Sequence, residues 1–159
     1  HLAWIRGVGL DSGSPFFHAH PPAVQELALV LRSQDLSTSN GLTRFVDQIG
    51  GFQCDFFDNI QSRYLLDARP DRVGEDDLAL ALENLSRFST IGVTERYQQY
   101  VARCAKFYGR RHLPQKTRHN PSRVDPLFDY RDESIRSALY PLVRYDQALY
   151  AKVVESLTN

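Results

Sequence analysis

The chain has 159 residues, 42% of them hydrophobic and 24% charged, the composition of an ordinary globular domain. Nineteen Lys and Arg balance nineteen Asp and Glu, which excludes a polybasic nucleic-acid binder or an acidic tail, and no nucleic-acid partner is expected. No apolar run approaches the ~20 residues that cross a bilayer, and no Cys/His pattern has the spacing of a structural zinc site. Cys54 and Cys104 are the only cysteines, so they form one bridge or two free thiols.

The chain starts at His1, contains no methionine and shows no signal-peptide pattern, so a processed or truncated polypeptide is the expectation. Residues 1–23 are punctuated by Gly7, Gly9, Gly13, Pro15, Pro21 and Pro22. They read as an irregular packing segment anchored by Trp4, Ile5, Phe16 and Phe17, with a short helix at its start. His18 and His20 have a metal-like spacing for a strand but no third ligand nearby, and no metal is expected. Pro21 and Pro22 open a helix whose apolar face is Val24, Leu27, Ala28 and Leu31. The capping residues of Ser37–Asn40 then precede a second helix carrying Leu42, Phe45, Val46 and Ile49, stopped by Gly50 and Gly51. Phe57, Ile60, Tyr64 and Leu65 mark a third helix, closed before Pro70. Asp76 and Asp77 favour the N-terminus of a fourth, with Leu78, Leu82 and Leu85 on its face.

At residues 88–95, FSTIGVTE, β-branched residues replace the helical period and predict one short buried strand. A lone strand leaves its backbone groups unpaired. Its partners are either hidden in the irregular regions or belong to a missing part of the fold, and the second is the expectation. Tyr97, Tyr100, Val101, Cys104, Phe107 and Tyr108 line the next helix, ended by Gly109. Residues 110–130 read as a long loop, and residues 132–140 and 144–157 as closing helices broken near Pro141.

The neutral total hides an asymmetry. Between Glu95 and Asp125 there is no acidic residue, while eight of the nineteen cations fall there. The centre of this window, RRHLPQKTRHNPSR, combines guanidinium, ammonium, amide and hydroxyl donors, the chemistry that holds phosphate or sulfate oxygens. A solvated basic loop is the plainer alternative. Neither a GxxxxGK[ST] loop, nor GxSxG, nor HExxH occurs. Glu95 could bind a substrate hydroxyl or orient a base, or it could cap the helix that follows. Asn59 and Gln61 could face a cleft or lie on a helix surface.

Four segments in order resemble the carbohydrate sulfotransferases related to heparan sulfate 2-O-sulfotransferase. They are DNIQSRYLL (residues 58–66), LENLSRFSTIGVTERYQQYV (82–101), KTRHNPSR (116–123) and YDQALYAKV (145–153). The resemblance spans roughly residues 40–157. The residue patterns predict a mostly α-helical chain with one short strand, and the resemblance implies the C-terminal part of an α/β fold that transfers sulfonate from 3′-phosphoadenosine 5′-phosphosulfate (PAPS) to a sugar hydroxyl. The family's phosphosulfate loop and its Arg- and Ser-bearing strand have no counterpart in these residues. The resemblance therefore implies that the rest of the fold lies in a missing N-terminal half, that no catalytic residue can be named, and that this chain alone is inactive. On the same basis Lys116, Arg118, Asn120, Ser122 and Arg123 are expected at the donor's 3′-phosphate. Arg63, Glu95 and Arg96 are expected on the acceptor side, with a carbohydrate as partner. A membrane-anchored eukaryotic parent would place the chain in the Golgi lumen, a bacterial one in the cytoplasm. The alternative is a non-enzymatic helical module that binds polyanions, glycan or nucleic acid, through the basic loop. A third is a helical partner-binding domain whose loop is merely solvated.

Overall fold

The structure is a computed structural model that describes residues 2–110 and 127–158. Helix α1 (Leu2–Val8) and the single turn α2 (Pro15–His18) occupy the segment expected to be mainly irregular. Ser14 makes α2 possible, its hydroxyl accepting from the Phe17 N–H at 3.1 Å. Ile5, Val8 and Phe17 point into the core, whereas Trp4 and Phe16 stay about half exposed.

Helix α3 (Pro22–Ser33) buries Val24, Leu27, Ala28 and Leu31, the stripe its spacing predicts, and packs along α1. At Gly9 the two helices come so close that an added Cβ would lie 2.8 Å from the Ala28 carbonyl oxygen. Helix α4 (Ser39–Gln48) starts from Thr38, whose hydroxyl accepts from the Gly41 N–H, and buries Leu42, Phe45 and Val46. These side chains meet Leu36, Cys54, Phe57, Ile135 and Leu142 in one apolar core.

The third predicted helix is interrupted. A 3₁₀ turn (Gly51–Gln53) leads into α5 (Cys54–Phe57), the chain breaks at Asp58–Asn59, and α6 (Ile60–Arg63) resumes. Asn59 is left-handed, with φ 45° and ψ 55°. Helix α7 (Glu75–Ser86) starts at Gly74, whose N–H donates to the Asp77 carboxylate at 2.8 Å.

The strand expected at residues 88–95 is not formed, and no strand occurs among the described residues. Val93 has extended dihedrals (φ −116°, ψ 152°), so the β-branched composition does set the local backbone. The segment lies against a helix instead of a ladder: at Gly92 an added Cβ would be 2.4 Å from Tyr100 Cβ. A 3₁₀ turn (Thr94–Arg96) then runs into α8 (Tyr97–Phe107). Gly109, at φ 63°, ends that element as its position predicts. Asp132 caps α9 (Glu133–Leu139), which packs against α4. A 3₁₀ turn at Tyr140–Leu142 absorbs Pro141 before α10 (Arg144–Ser156), which packs on α6 and α7. Both cysteines are free thiols, Cys54 buried and Cys104 half-buried. No described helix is long and apolar enough to cross a membrane.

Candidate functional site

Four N–H groups at the start of any helix lack partners within it. Helices α6 and α10 solve this for each other. The Asn59 carboxamide oxygen accepts from the Tyr145 and Asp146 N–H groups at 2.8 and 3.2 Å, capping α10 from a residue 86 positions away. The Asp146 carboxylate returns the service. It accepts from the Gln61 N–H at 3.0 Å and from the Ser62 N–H and hydroxyl at 2.8 Å each. The Asn59 N–H itself donates to the Leu142 carbonyl at 2.7 Å. This exchange explains the helix break: a helical Asn59 could not turn its amide and side chain toward α10.

Asp58, Asn59 and Ser62 are buried polar residues, and each is fully engaged. One Asp58 oxygen accepts from the Val73 N–H at 2.8 Å and from Arg63 Nη2 at 2.9 Å. The other accepts from Asn59 Nδ2 at 3.0 Å and faces Arg72 Nη1 at 3.8 Å. Arg72 also donates to the Val46 and Ile49 carbonyls at the end of α4.

Arg63, expected on the acceptor side, is committed elsewhere. Its Nε donates to the Asp58 carbonyl, Nη1 to Asp55 and the Pro70 carbonyl, and Nη2 to Asp58 and the Asp71 carbonyl. A guanidinium has five N–H donors, so no donor is left for a ligand. The residue fastens the 64–73 connection to the α5–α6 break.

On the other side of α6 a cleft of about 460 Å³ opens. Gln61, Tyr64 and Leu65 form one wall, Leu85 and residues 91–95 a second, and Leu149, Tyr150 and Val153 a third. The Tyr150 hydroxyl donates to Glu95 Oε2 at 3.0 Å across the opening. That bond holds the Tyr150 phenol above its usual range. Glu95 thus reaches across to α10, and Arg96 Nη1 lies 3.4 Å from the Leu157 carbonyl, close enough for its charge to act on the Tyr150 phenol. Tyr64 is 85% exposed, its ring lying open at the cleft's edge. A larger recess of about 590 Å³ lies between Phe128, Tyr130, Ile135 and Tyr140, reached by Gln147 alone of the residues in the four resemblance segments.

The structure therefore brings Glu95 and Gln61 to one cleft, leaves Arg96 beside it but outside its lining, and gives Arg63 a scaffold role. Asn59 is neither cleft-facing nor on a surface. Tyr150 is a cleft residue that sequence reasoning did not single out, and Tyr64, read there as part of a helix's apolar face, is instead exposed at the cleft. Lys116, Arg118, Asn120, Ser122 and Arg123 lie outside the described residues. No protein-family model, curated protein or solved structure matches the chain.

Proposed function

We propose that the chain is part of a carbohydrate sulfotransferase that uses PAPS as donor. In this reading the cleft of Gln61, Tyr64, Glu95 and Tyr150 belongs to the acceptor side. Lys116, Arg118, Asn120, Ser122 and Arg123 serve the donor's 3′-phosphate. One observation carries the reading: every residue lining the cleft comes from three of the segments that resemble the family. Residues 61–65, 85–95 and 149–153 lie far apart in sequence, yet their side chains form one surface. The reciprocal caps of Asn59 and Asp146, residues of two of those segments, hold it in place.

Sulfonate transfer is an in-line displacement between two oxygens. It needs the donor and acceptor held in register, stabilisation of the oxygens that gain charge, and a base for the acceptor hydroxyl. Here the rigid α6–α10 pair gives the acceptor a fixed wall, and the cation-rich 96–123 window gives the donor its counter-charge. No base is assigned. The same window supports a second reading, a module that binds polyanions generally. Titration of a complete enzyme that carries this chain with adenosine 3′,5′-bisphosphate and with adenosine 5′-monophosphate separates the two. The sulfotransferase reading expects the 3′-phosphate to raise affinity at least about tenfold, the effect of one charge-assisted hydrogen bond. Affinity that follows total charge, with a short heparin fragment binding best, would replace it with the second reading.

A further inference from the structure

A second recess, of about 460 Å³, opens beside α5 and α6, and three aromatic rings line it: Phe52, Phe56 and Tyr64. The Phe52 and Phe56 rings stand nearly perpendicular, 77° apart with centroids at 5.0 Å, and so form a corner. Phe52 and Tyr64 are both exposed, which leaves their rings open to a ligand. Two carboxylates, Asp55 and Asp67, line the same recess. The molecule already seats a cation there. Arg69 Nη1 donates to Asp55 Oδ2 at 3.1 Å, although the Arg69 side chain is 82% exposed. An ion pair that exposed contributes little to stability, so a competing cation displaces it at small cost. Arg63 lies 3.4 Å from the other Asp55 oxygen, but it is buried and held by Asp58 and three backbone carbonyls. Asp58 also faces Arg72. With Arg69 displaced, Asp55, Asp58 and Asp67 stand against Arg63 and Arg72, an excess of one negative charge among these groups.

We infer that this recess binds an arginine side chain of a partner protein, which takes the place of Arg69 on Asp55 Oδ2 and lays its guanidinium against the aromatic rings. A planar guanidinium pairs with a carboxylate and stacks on aromatic faces, and the recess presents both kinds of group. Asp67 adds attraction for the incoming charge. Arg69 is the internal competitor, so the partner's affinity is set by the difference between two arginines on one carboxylate. The recess shares Tyr64 with the cleft, but its use for a cation does not depend on the sulfotransferase reading.

Chemical-shift titration of the isotope-labelled 159-residue chain tests this with Nα-acetylarginine amide and its neutral citrulline counterpart. The arginine compound is expected to move the amide signals of Phe52, Asp55 and Tyr64 and the side-chain Nε–H signal of Arg69. The citrulline compound is expected to bind at least about fivefold more weakly, the difference between a charged and a neutral donor. Arg69→Ala removes the competitor and is expected to tighten arginine binding about two- to fivefold. Tyr64→Ala is expected to weaken it about two- to fivefold, the loss of one exposed cation–π contact, while leaving thermal stability unchanged. Asp55→Asn should narrow the gap between the two compounds. Arg69 and Tyr64 are both exposed, so their variants read the site even where Asp55→Asn unsettles the fold. Equal binding of the two compounds, unchanged or weaker arginine binding by Arg69→Ala, or no binding by that variant would overturn the inference.

Discussion

Substituting Asn59 by alanine removes the acceptor of two N–H groups at the start of α10 and puts at φ 45° a residue that tolerates the left-handed region less well than asparagine. It also takes the Nδ2 donor from buried Asp58. A buried donor left without a partner costs about 1–3 kcal/mol. A left-handed backbone costs an ordinary residue roughly 1–2 kcal/mol. Together these predict a loss of about 2–5 kcal/mol, a large part of the ~5–15 kcal/mol that holds a typical domain. At roughly 2–4 °C per kcal/mol for a chain of this size, the melting temperature should fall by about 4–20 °C. Urea unfolding followed by far-ultraviolet circular dichroism measures it, with a lower midpoint and an unchanged slope. Asn59→Gly keeps the missing cap and relieves the backbone, so it should recover about 1 kcal/mol relative to alanine. A loss below ~1 kcal/mol for alanine, or glycine no better than alanine, would refute the capping argument.

Three further outcomes follow from the same geometry. Arg63→Lys should destabilise the fold by about 2–4 kcal/mol in the same unfolding experiment, because an ammonium cannot reproduce five donors in a plane beside buried Asp58. Near-native stability would mean that the network is dispensable. Burial pushes the Cys54 thiol up, so peptide mass spectrometry should find Cys104 alkylated well before Cys54 in the native protein. Above the ordinary thiol range of ~8.5 the unfolded chain sheds this proton and the folded one keeps it, so the Cys54 contribution to stability falls as pH rises. Glu95→Gln should lower the Tyr150 phenol toward its ordinary value, since the hydrogen bond to the carboxylate is what raises it. An ultraviolet titration of the phenol reads the shift, and an unmoved Tyr150 would mean that the bond is not formed in solution.

The elements legible in the sequence were those whose stability is local. In α3 and α4 the apolar spacing named the buried side chains, and Thr38 and Gly109 marked boundaries through their own chemistry. The break at Asp58–Asn59 left no such trace. Phe57, Ile60, Tyr64 and Leu65 keep a helical period through it, and what breaks the helix is a set of hydrogen bonds to residues 142, 145 and 146. The segment 88–95 misled for the converse reason. Its side chains favour extended backbone, but a strand also needs a neighbouring strand, and Gly92 packs on Tyr100 instead. Within the site, Glu95 was visible as a carboxylate at the end of an apolar run. Its partnership with Tyr150 was not, because a pairing 55 residues apart has no local signature. Arg63 looked available because sequence lists donors without showing their acceptors.

The central claim, that the cation-rich segment around residues 116–123 reads the 3′-phosphate of a sulfonate donor, is tested most directly by one double comparison. Adenosine 3′,5′-bisphosphate and adenosine 5′-monophosphate are titrated calorimetrically into a complete enzyme that carries this chain and into its Arg118→Ala form, with Arg123→Ala as a second variant. A charge-assisted hydrogen bond contributes about 1.5–3 kcal/mol. Each variant should therefore lose about 10–100-fold for the bisphosphate and little for the monophosphate, and Arg118→Lys should recover only part of the loss if the contact is bidentate. Equal losses for both nucleotides, or no loss for either, would contradict the claim.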